Sequence, residues 1–488
     1  MNAWNQFFAR RRFLQAGLGA LAGGFGFAGP APAQAPAARS RAGTTTIEPR
    51  AAAGAPGGFV PVVAPDLTKL PFEHDGGVKV FKLVAEPVKQ EVLPGKVFDL
   101  WGYNGSAPGP TIEVFEGDRV RIVFENRLPE PTTVHWHGLE VPIEMDGVPA
   151  ISQPEVPPGG RFTYEFTLHQ HGTFFYHSHG AMQEMMGMLG LFIIHPKTAY
   201  APPAQKDFAI VLQEYAVLPS NTIPNSLSME FNWLTFNGKS APATTPMLVK
   251  LGERVRLRLV NIGMDHHPIH LHGMQFEVTG TEGGRIPEAL WYPQNTVLVG
   301  VAQARVIEFN AKSPGDWMLH CHLPHHMMNQ MVSMVGPMAH AGHGVRTGGG
   351  MQEGMGMIRQ GHALSEDLGP KFGRGMGMAA EERSVSHSVR PRAFVAQGGH
   401  ADHGSESSAK KRVPGFPQDM FMPMDDAVAK PETYGMAKNW TGATQGMMAI
   451  VRVLPSDKYD EIMRRVEAAR NAPAPPKAVP APPQGHRH

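Results

Sequence analysis

The sequence is poor in cysteine: Cys321 is the only one among 488 residues. A single thiol excludes an intramolecular disulfide, so no disulfide framework can hold the fold together. The chain also lacks a charge excess, because 44 Lys and Arg face 43 Asp and Glu, and this balance gives no indication of a nucleic-acid partner. Beyond the N-terminal segment, no apolar run is long enough to span a membrane. Histidine (24) and methionine (28) are plentiful instead, and both are metal ligands.

The N-terminal segment has three arginines at positions 10–12, followed by Phe13 and Leu14 and by an apolar, Gly/Ala-rich run that ends near Ala28. This pattern resembles a twin-arginine export signal with a small-residue cleavage motif shortly after it. The alternative is a membrane anchor, which the short, glycine-rich run disfavours. We predict a signal peptide at residues 1–33 and a periplasmic or secreted mature protein.

Short apolar runs that alternate with polar residues begin at residue 78 and are broken by Gly, Pro and Asn. This spacing predicts antiparallel β-sandwich strands. The runs occur in two similar sets, because the stretch 103–126 is similar to 236–261. From Gly117 and Gly252 onward, the two sets are offset by 135 residues.

A second block, residues 172–179, matches residues 315–322 at an offset of 143. Two blocks in register indicate one sandwich domain that has been duplicated. We predict domain 1 at residues 76–198 and domain 2 at residues 206–340, with no third sandwich between them. The predicted fold class is therefore all-β.

The remaining segments differ in composition. Residues 34–75 are rich in Ala, Pro and Gly, which predicts a disordered leader. Residues 341–412 are rich in Gly, His and Met, and we expect them to be disordered as well. The rest comprises a C-terminal extension at 413–471, with a strand near 446–454 and a helix near 456–470, and a Pro/Ala tail at 472–488.

Four His-x-His triplets lie at matching positions of the two predicted domains, at residues 135–137, 177–179, 270–272 and 320–322. A chain with 24 His in 488 residues contains about one such pair by chance, so four pairs in register with a repeat are not accidental. Because alternate residues of a strand share a face, each triplet offers two imidazoles to one metal site. Eight imidazoles are enough for three metal ions.

The last of these triplets encloses the single cysteine. Because neighbouring residues of a strand point to opposite faces, Cys321 faces away from His320 and His322. His326 follows the cysteine by five residues and Met331 by ten. A thiolate, an imidazole and a thioether are three ligands of a blue-copper site, and a second imidazole must come from elsewhere. One strand would then join two metal sites.

These motifs resemble the signature of the multicopper oxidases, which matches the segments 135–138, 177–179, 267–273 and 320–331. The resemblance implies four coppers per chain. His135 and His270 would bind the type 2 copper. The type 1 copper would be bound by His267, Cys321, His326 and, axially, Met331. The two type 3 coppers would be bound by the six imidazoles of His137, His177, His179, His272, His320 and His322.

Ser178 stands in domain 1 where domain 2 has Cys321, so domain 1 has no thiolate for a type 1 copper. This arrangement resembles the two-domain, laccase-like members of the family and implies two tandem cupredoxin-like Greek-key β-sandwiches. In such proteins the trinuclear cluster lies between domain 1 of one chain and domain 2 of the next. The short connection near residues 198–206 favours this arrangement, so we predict a homotrimer, the closed ring that a head-to-tail contact produces.

The resemblance also implies the reaction. The type 1 copper would take single electrons from a small-molecule reductant and pass them through Cys321 to the cluster, where four electrons reduce dioxygen to water. Asp146 matches the acidic residue that lies near the type 2 copper and is the candidate proton donor. An Asp-Gly turn is the structural alternative for Asp146, and both roles can hold. Phenols, aromatic amines and Cu(I) are all open as reductants.

Two other functions compete with this interpretation. A periplasmic copper-resistance or copper-binding protein would use the His- and Met-rich segment 341–412, but eight cluster histidines are unnecessary for storage. A copper nitrite reductase is also a two-domain trimer. That class needs a cysteine in domain 1, and this chain has none there.

Overall fold

The structure is a computed structural model that describes residues 59–180, 182–218, 221–327 and 423–472. The predicted export signal, Met331 and the segment 341–412 lie outside the described residues. The described part contains 21 β-strands, one α-helix and several short 3-10 turns. The prediction of an all-β chain is confirmed.

The first sandwich is built from nine strands. They are β1 (Phe72–Asp75), β2 (Val78–Leu93), β3 (Lys96–Tyr103), β4 (Ile112–Phe115), β5 (Arg119–Asn126), β6 (Val134–His137), β7 (Arg161–Thr167), β8 (Gly172–Ser178) and β9 (Leu189–His195). One sheet has the order β1-β2-β5-β7, with β3 on β2, and the other has the order β4-β9-β8-β6. Trp136, Tyr164 and Tyr176 are fully buried between the sheets.

The second sandwich is built from twelve strands. They are β10 (Lys206–Tyr215), β11 (Trp233–Phe236), β12 (Met247–Lys250), β13 (Arg254–Asn261), β14 (His267–Leu271), β15 (Phe276–Thr281), β16 (Gly284–Arg285), β17 (Tyr292–Gln294), β18 (Thr296–Val299), β19 (Gln303–Asn310), β20 (Gly315–Cys321) and β21 (Met448–Leu454). One sheet has the order β11-β10-β13-β19-β15-β16, with β17 on β15. The other has the order β12-β21-β20-β14-β18. The prediction of two tandem β-sandwiches is therefore confirmed.

Strand β21 lies between β12 and β20 in its sheet, although a long stretch of sequence separates it from β20. It pairs antiparallel with β20 and parallel with β12. Sequence analysis predicted a strand here but assigned it to a C-terminal extension, whereas the structure places it inside the second sandwich. Without β21, the facing edges of β12 and β20 would keep unpaired backbone groups.

Residues 59–75 also differ from the prediction, since they belong to the segment expected to be a disordered leader. Val62 is fully buried, and its N–H donates to Oε1 of Glu113 at 2.8 Å. The next residue forms an isolated bridge with Phe208 of β10. Residues 59–75 therefore contain enough apolar side chains to pack against both sandwiches, despite the Ala/Pro/Gly-rich composition of the predicted leader.

The two sandwiches pack against each other through the outer face of the sheet β4-β9-β8-β6. Phe175, Leu191 and Ile193 of this face share one buried cluster with Val211 and Val260 of the second sandwich. Because this sheet is covered on both faces, β9 is buried along its whole length and is apolar from Leu189 to Ile194 rather than alternating.

A buried charged network lies beside this apolar contact. The carboxylate of Asp207 is fully buried and accepts from Nη1 of Arg256 at 3.1 Å and from Nε and Nη2 of Arg258 at 2.7 and 2.8 Å. Nη1 of Arg258 donates to Oγ1 of Thr173 at 2.7 Å. Since Thr173 lies on β8, the network ties the second sandwich to the first.

The C-terminal part of the chain covers the outer face of the second sandwich. Helix α1 (Ser456–Asn471) buries Tyr459, Ile462 and Val466 against it. Arg452 of β21 donates from Nη1 to the carbonyl oxygens of Glu432 and Tyr434 at 2.7 and 2.9 Å, which fixes the preceding segment. No helix within the described ranges has the length and apolar character needed to cross a membrane.

Candidate metal centres

His267, Cys321 and His326 form a compact, buried group at one end of the sheet β12-β21-β20-β14-β18. His267 begins β14, Cys321 ends β20, and His326 lies in the short 3-10 turn Pro324–Met327. Sγ of Cys321 lies 3.4 Å from Nδ1 of His326 and 3.8 Å from Nδ1 of His267, and the two Nδ1 atoms are 3.2 Å apart. Three donors that face one another in this way fit the trigonal His2Cys set of a blue-copper site.

Carboxylates contact the two imidazoles from behind. Nε2 of His267 lies 3.2 Å from Oε2 of Glu214, and both side chains are fully buried. Nε2 of His326 lies 3.5 Å from Oδ2 of Asp265, which is partly exposed. These contacts orient each ring so that Nδ1 faces the shared centre, and a carboxylate behind an imidazole makes it a more basic ligand.

Burial determines the protonation of this group. Burial lowers the pKa of His326 to about 3, and the neighbouring His267 adds to the effect, so the ring is neutral at pH 7 and its lone pair is free. Burial raises the pKa of the Cys321 thiol to about 12. The thiol therefore keeps its proton until a cation replaces that proton.

His270, His272, His320 and His322 lie on the opposite face of the same sheet from Cys321. Strands β14 and β20 pair so that His270 is directly across from His320. The ring centroid of His270 lies 4.8, 5.7 and 5.5 Å from those of the other three, and the Nε2 atoms of His272 and His320 are 3.0 Å apart. Because His320 and His322 are the peptide neighbours of Cys321, the end of β20 carries donor side chains of both groups.

His135, His137, His177 and His179 form the matching group on β6 and β8. The ring centroid of His135 lies 5.6, 5.4 and 5.5 Å from those of the other three, and Nδ1 of His137 lies 3.4 Å from Nε2 of His177. Asp146 lies beside this group: its carbonyl oxygen accepts from Nδ1 of His135 at 2.7 Å, and its Oδ1 is 3.5 Å from the same nitrogen.

Backbone carbonyls fix the tautomers of four imidazoles in the same way in both sandwiches. The Nδ1–H of His135 and of His270 each donates to a carbonyl oxygen at 2.7 Å. The Nδ1–H of His177 and of His320 each donates to the carbonyl of the following residue at 2.8 Å. A proton on Nδ1 leaves the lone pair of Nε2 free for a metal. Burial also lowers the pKa of His137 to about 4, so this ring is neutral at pH 7.

The two groups of four imidazoles do not meet within the chain. All eight histidines lie in the described ranges, and no hydrogen bond or ring contact joins one group to the other. One member of each group, His179 and His322, is exposed. Each group is therefore a separate, partly exposed set of four imidazoles.

The first sandwich has buried polar residues at the positions of the blue-copper ligands. The repeat offsets relate Thr132 to His267, Ser178 to Cys321 and Gln183 to His326. The hydroxyl oxygens of Thr132 and Ser178 are 3.0 Å apart, and Ser178 donates to Oε1 of Gln183 at 2.6 Å. Without a thiolate or an imidazole, this triad does not fit a blue copper.

Sequence reasoning missed three carboxylates beside the imidazoles. They are Glu214, Asp265 and Glu184, whose Oε2 lies 2.8 Å from Nδ1 of His177. Glu214 does leave a signal, because an ionisable residue shortly after the apolar run 208–212 of β10 needs a buried partner. Asp265 lies in a loop and Glu184 begins a short 3-10 turn, and no sequence pattern marks either of them. Met331, the predicted axial ligand, lies outside the described residues.

Comparisons with known proteins agree with this geometry. Two sequence models of the multicopper oxidase family match the chain, at residues 86–199 and 217–337. A copper resistance protein A homolog of Pseudomonas syringae pv. tomato is 40% identical over 113 residues, which are 23% of this chain and 19% of that protein. A probable nitrite reductase-hydroxylamine oxidoreductase fusion protein of Kuenenia stuttgartiensis is 30% identical over 277 residues, 53% of this chain and 31% of that protein. The chain thus spans about a fifth to a third of the length of these relatives.

Among solved structures, the blue copper oxidase from Nitrosomonas europaea is 32% identical, with a TM-score of 0.48 over 51% of this chain and 81% of that chain. The two family matches together include the single cysteine and all ten histidines described above. The chain belongs to the multicopper oxidase family.

Proposed function

We propose that the protein is a copper-dependent oxidase that takes single electrons from a reducing substrate and reduces dioxygen to water. The observation that carries this proposal is the buried triangle of Cys321, His267 and His326, joined through the backbone of β20 to His320 and His322. When bound, four coppers per chain would supply one-electron transfer at the type 1 centre and dioxygen reduction at the trinuclear centre. The predicted imidazole and thiolate ligands are retained here as part of the proposal.

The protein's own residues have separable roles in this scheme. His267 and His326 hold their Nδ1 atoms toward Cys321, while Glu214 and Asp265 fix the two rings from behind. The peptide bonds on either side of Cys321 are the shortest covalent route from one centre to the other. The apolar core around Cys321 excludes water from that route.

Asp146 is the proposed source of protons for the reduction of dioxygen. Its Oδ1 lies 3.5 Å from Nδ1 of His135, and its side chain is partly exposed. A carboxyl group in this position can exchange protons with solvent and deliver them to the imidazole group. Glu184, at 2.8 Å from His177, orients that ring from the same side of the sandwich.

We also propose a homotrimer in which each trinuclear centre is shared by two chains. The separation of the two imidazole groups within one chain supports this arrangement, as does the exposure of His179 and His322. A head-to-tail contact would place the first group of one chain on the second group of the next, and three such contacts close a ring.

Phenols, aromatic amines and Cu(I) remain the proposed classes of reductant. Cu(I) is favoured by a small cluster in which Met182 and Met264 pack against buried Met185, because thioethers suit Cu(I). Met264 is also close to the type 1 group, since its N–H donates to Oε1 of Glu214. Copper resistance, through the oxidation or binding of Cu(I), is thus the second candidate function. The relative from Pseudomonas syringae is named a copper resistance protein.

A copper nitrite reductase is a weaker candidate, because Ser178 replaces the cysteine that domain 1 would need. Export through the twin-arginine pathway to the periplasm stays part of the proposal and is supported by the arginines at 10–12. That pathway carries folded proteins, which suits a chain that binds its metals before export.

The copper-loaded full-length protein and its Cys321→Ser variant test the proposed activity. We expect the parent to be blue, to bind four coppers per chain and to consume oxygen with a methoxyphenol or with Cu(I). The variant should bind three coppers, lose the blue colour and lose oxygen uptake. A colourless parent, or a variant that still turns over with air, would contradict the proposal.

Complementation tests the shared centre. A His177→Ala/His179→Ala variant lacks the first half-site, and a His270→Ala/His272→Ala variant lacks the second. Each variant alone should be inactive. In a mixed trimer, one contact joins an intact first group of one chain to an intact second group of the next, so co-expression should restore about one centre per ring. Activity that is not regained in mixed trimers of the right mass would contradict centres shared between chains.

A further inference from the structure

Met447 lies beside two of the three proposed type 1 ligands. The N–H of Cys321 donates to the carbonyl oxygen of Met447 at 3.0 Å, and the N–H of Met447 donates to the carbonyl oxygen of His326 at 2.9 Å. The side chain of Met447 is fully buried and belongs to the same apolar cluster as Cys321. A trigonal His2Cys site takes a weak fourth ligand on its axis, most often a methionine thioether.

The strand register places Met447 on the correct face. Strands β20 and β21 pair antiparallel with His320 directly across from Met448. The preceding residue, Met447, is therefore the neighbour of Cys321. Side chains that lie opposite each other in an antiparallel pair share a face, so Met447 lies on the core side with Cys321, whereas Met448 lies on the side of the imidazoles.

The internal repeat gives an independent argument. In the first sandwich, Met188 precedes β9 and is also fully buried, and its carbonyl oxygen accepts from the N–H of Ser178 at 3.0 Å. Strand β9 pairs with β8 and β4 as β21 pairs with β20 and β12. A glycine with positive φ precedes each methionine, Gly187 at 106° and Gly446 at 65°. Met447 is thus the structural counterpart of Met188.

The other two methionines of the apolar cluster around Cys321 lie too far from the three proposed ligands to bind the same metal ion. Met247 pairs with Val451, four residues beyond Met447, which is about 13 Å in an extended strand. Met274 follows His267 by seven residues, about 23 Å if the chain is extended. Met331 keeps the spacing of the first sandwich, because nine positions separate it from His322 and Met188 from His179. Met331 is therefore the alternative axial ligand that an experiment must exclude.

We propose that Met447, not Met331, supplies the axial thioether of the type 1 copper. In sequence, 125 positions separate His322 from Met447, so the second sandwich carries an insertion of 116 residues between its last imidazole ligands and its axial ligand. The hydrogen bond from the N–H of Met447 to the carbonyl of His326 brings the two ends of this insertion together beside the proposed metal site. This inference rests on the proposed function, since it needs a type 1 copper in this chain.

Two matched variants of the full-length, copper-loaded protein test it. Met447→Leu and Met331→Leu each replace a thioether by a side chain of similar volume. The readouts are the visible spectrum, the copper hyperfine splitting in electron paramagnetic resonance and the reduction potential of the type 1 copper. We expect Met447→Leu to shift all three and to raise the potential, because a lost donor favours Cu(I). Met331→Leu should match the parent.

A third variant separates ligation from packing. Met447→Gln keeps a donor atom and should shift the spectrum in a different direction from Met447→Leu, since glutamine is itself an axial ligand of blue copper. Equal effects of both Met447 variants, or a spectral shift confined to Met331→Leu, would overturn the assignment. A parent protein without a type 1 spectrum would instead refute the proposed function, so the two failures are distinguishable.

Discussion

The hydroxyl groups of Thr132 and Ser178 lie 3.0 Å apart at the positions that His267 and Cys321 occupy in the second sandwich. Gln183, the counterpart of His326, accepts a hydrogen bond from Ser178. The first sandwich therefore has a hydrogen-bonded residue at each position that corresponds to a proposed blue-copper ligand of the second sandwich.

Restoring the three ligands should create a second blue-copper site. The triple substitution Thr132→His, Ser178→Cys and Gln183→His is best made in the Cys321→Ser background, so that any blue colour comes from the first sandwich. We expect a type 1 spectrum and one additional copper per chain, measured by metal analysis. The single Ser178→Cys variant is the control and should stay colourless, because one thiolate lacks its imidazole partners. A folded but colourless triple variant would contradict the equivalence.

Substitution of Glu214 by Gln should raise the reduction potential of the type 1 copper. The fully buried carboxylate lies 3.2 Å from Nε2 of His267 and stabilises the higher charge of Cu(II). A neutral amide of the same size removes that charge, and Cu(II) affinity should fall by about 10- to 100-fold. Redox titration of the blue band measures the shift. Asp265→Asn is the matched control: it is 37% exposed and 3.5 Å from His326, so water screens it and its effect should be smaller. A larger shift of the potential in Asp265→Asn than in Glu214→Gln would contradict this account.

Substitution of Asp207 by Asn should destabilise the chain by about 3–5 kcal/mol, because it leaves Arg256 and Arg258 buried without their shared carboxylate. The shift of the urea midpoint of the copper-free protein measures this loss. Glu277→Gln removes an ion pair with Arg254 in which the carboxylate is 46% exposed, and it should cost less than about 1 kcal/mol. Equal losses for the two variants would argue against a special role for the buried network.

Glu113 should make stability depend on pH in the acid range. Burial alone would raise the pKa of Glu113, but hydrogen bonds from His195 and Lys69 outweigh it and lower the pKa to about 2 from the ordinary value of 4.5. A carboxylate with a depressed pKa stabilises the fold above its unfolded pKa, and this contribution disappears as pH falls from 4.5 through 2. Its size is about 3 kcal/mol.

Unfolding of Glu113→Gln between pH 2 and pH 7 tests this expectation. The variant should be less stable than the parent at pH 7 and should approach it at pH 2. Glu461→Gln, on α1, is the control and should stay close to the parent across the range, since its ion pairs are with the exposed side chains of Lys458 and Arg465. A constant difference between Glu113→Gln and the parent at all pH values would contradict the titration of Glu113.

Local patterns in the sequence predicted the parts of the site that the chain repeats. The four His-x-His triplets could be found because they recur at fixed offsets, and strand alternation predicted that Cys321 and His320 face opposite sides. His267 came from family resemblance rather than from spacing. Each of these residues lies on or beside a strand of the duplicated sandwich, where period and register carry information.

Contacts between distant segments could not be predicted in this way. The position of β21 beside β20 depends on pairing across a long insertion. Sequence periodicity predicts that a segment is a strand but does not predict which strand it pairs with. Glu214 was missed because its role depends on the approach of His267 in space. Val62 was missed because an apolar residue in a Pro-rich segment becomes informative only once its burial is known.

The position of β21 between β12 and β20 also determines when a nascent chain can complete the second sandwich. Chain synthesis runs from the N-terminus, so β12 and β20 emerge well before the strand that must lie between them. Until residue 454 has left the ribosome, the second sandwich keeps a gap next to Cys321. Closure of the pocket around Cys321 therefore waits for β21, and a chain that stops before this strand cannot close it.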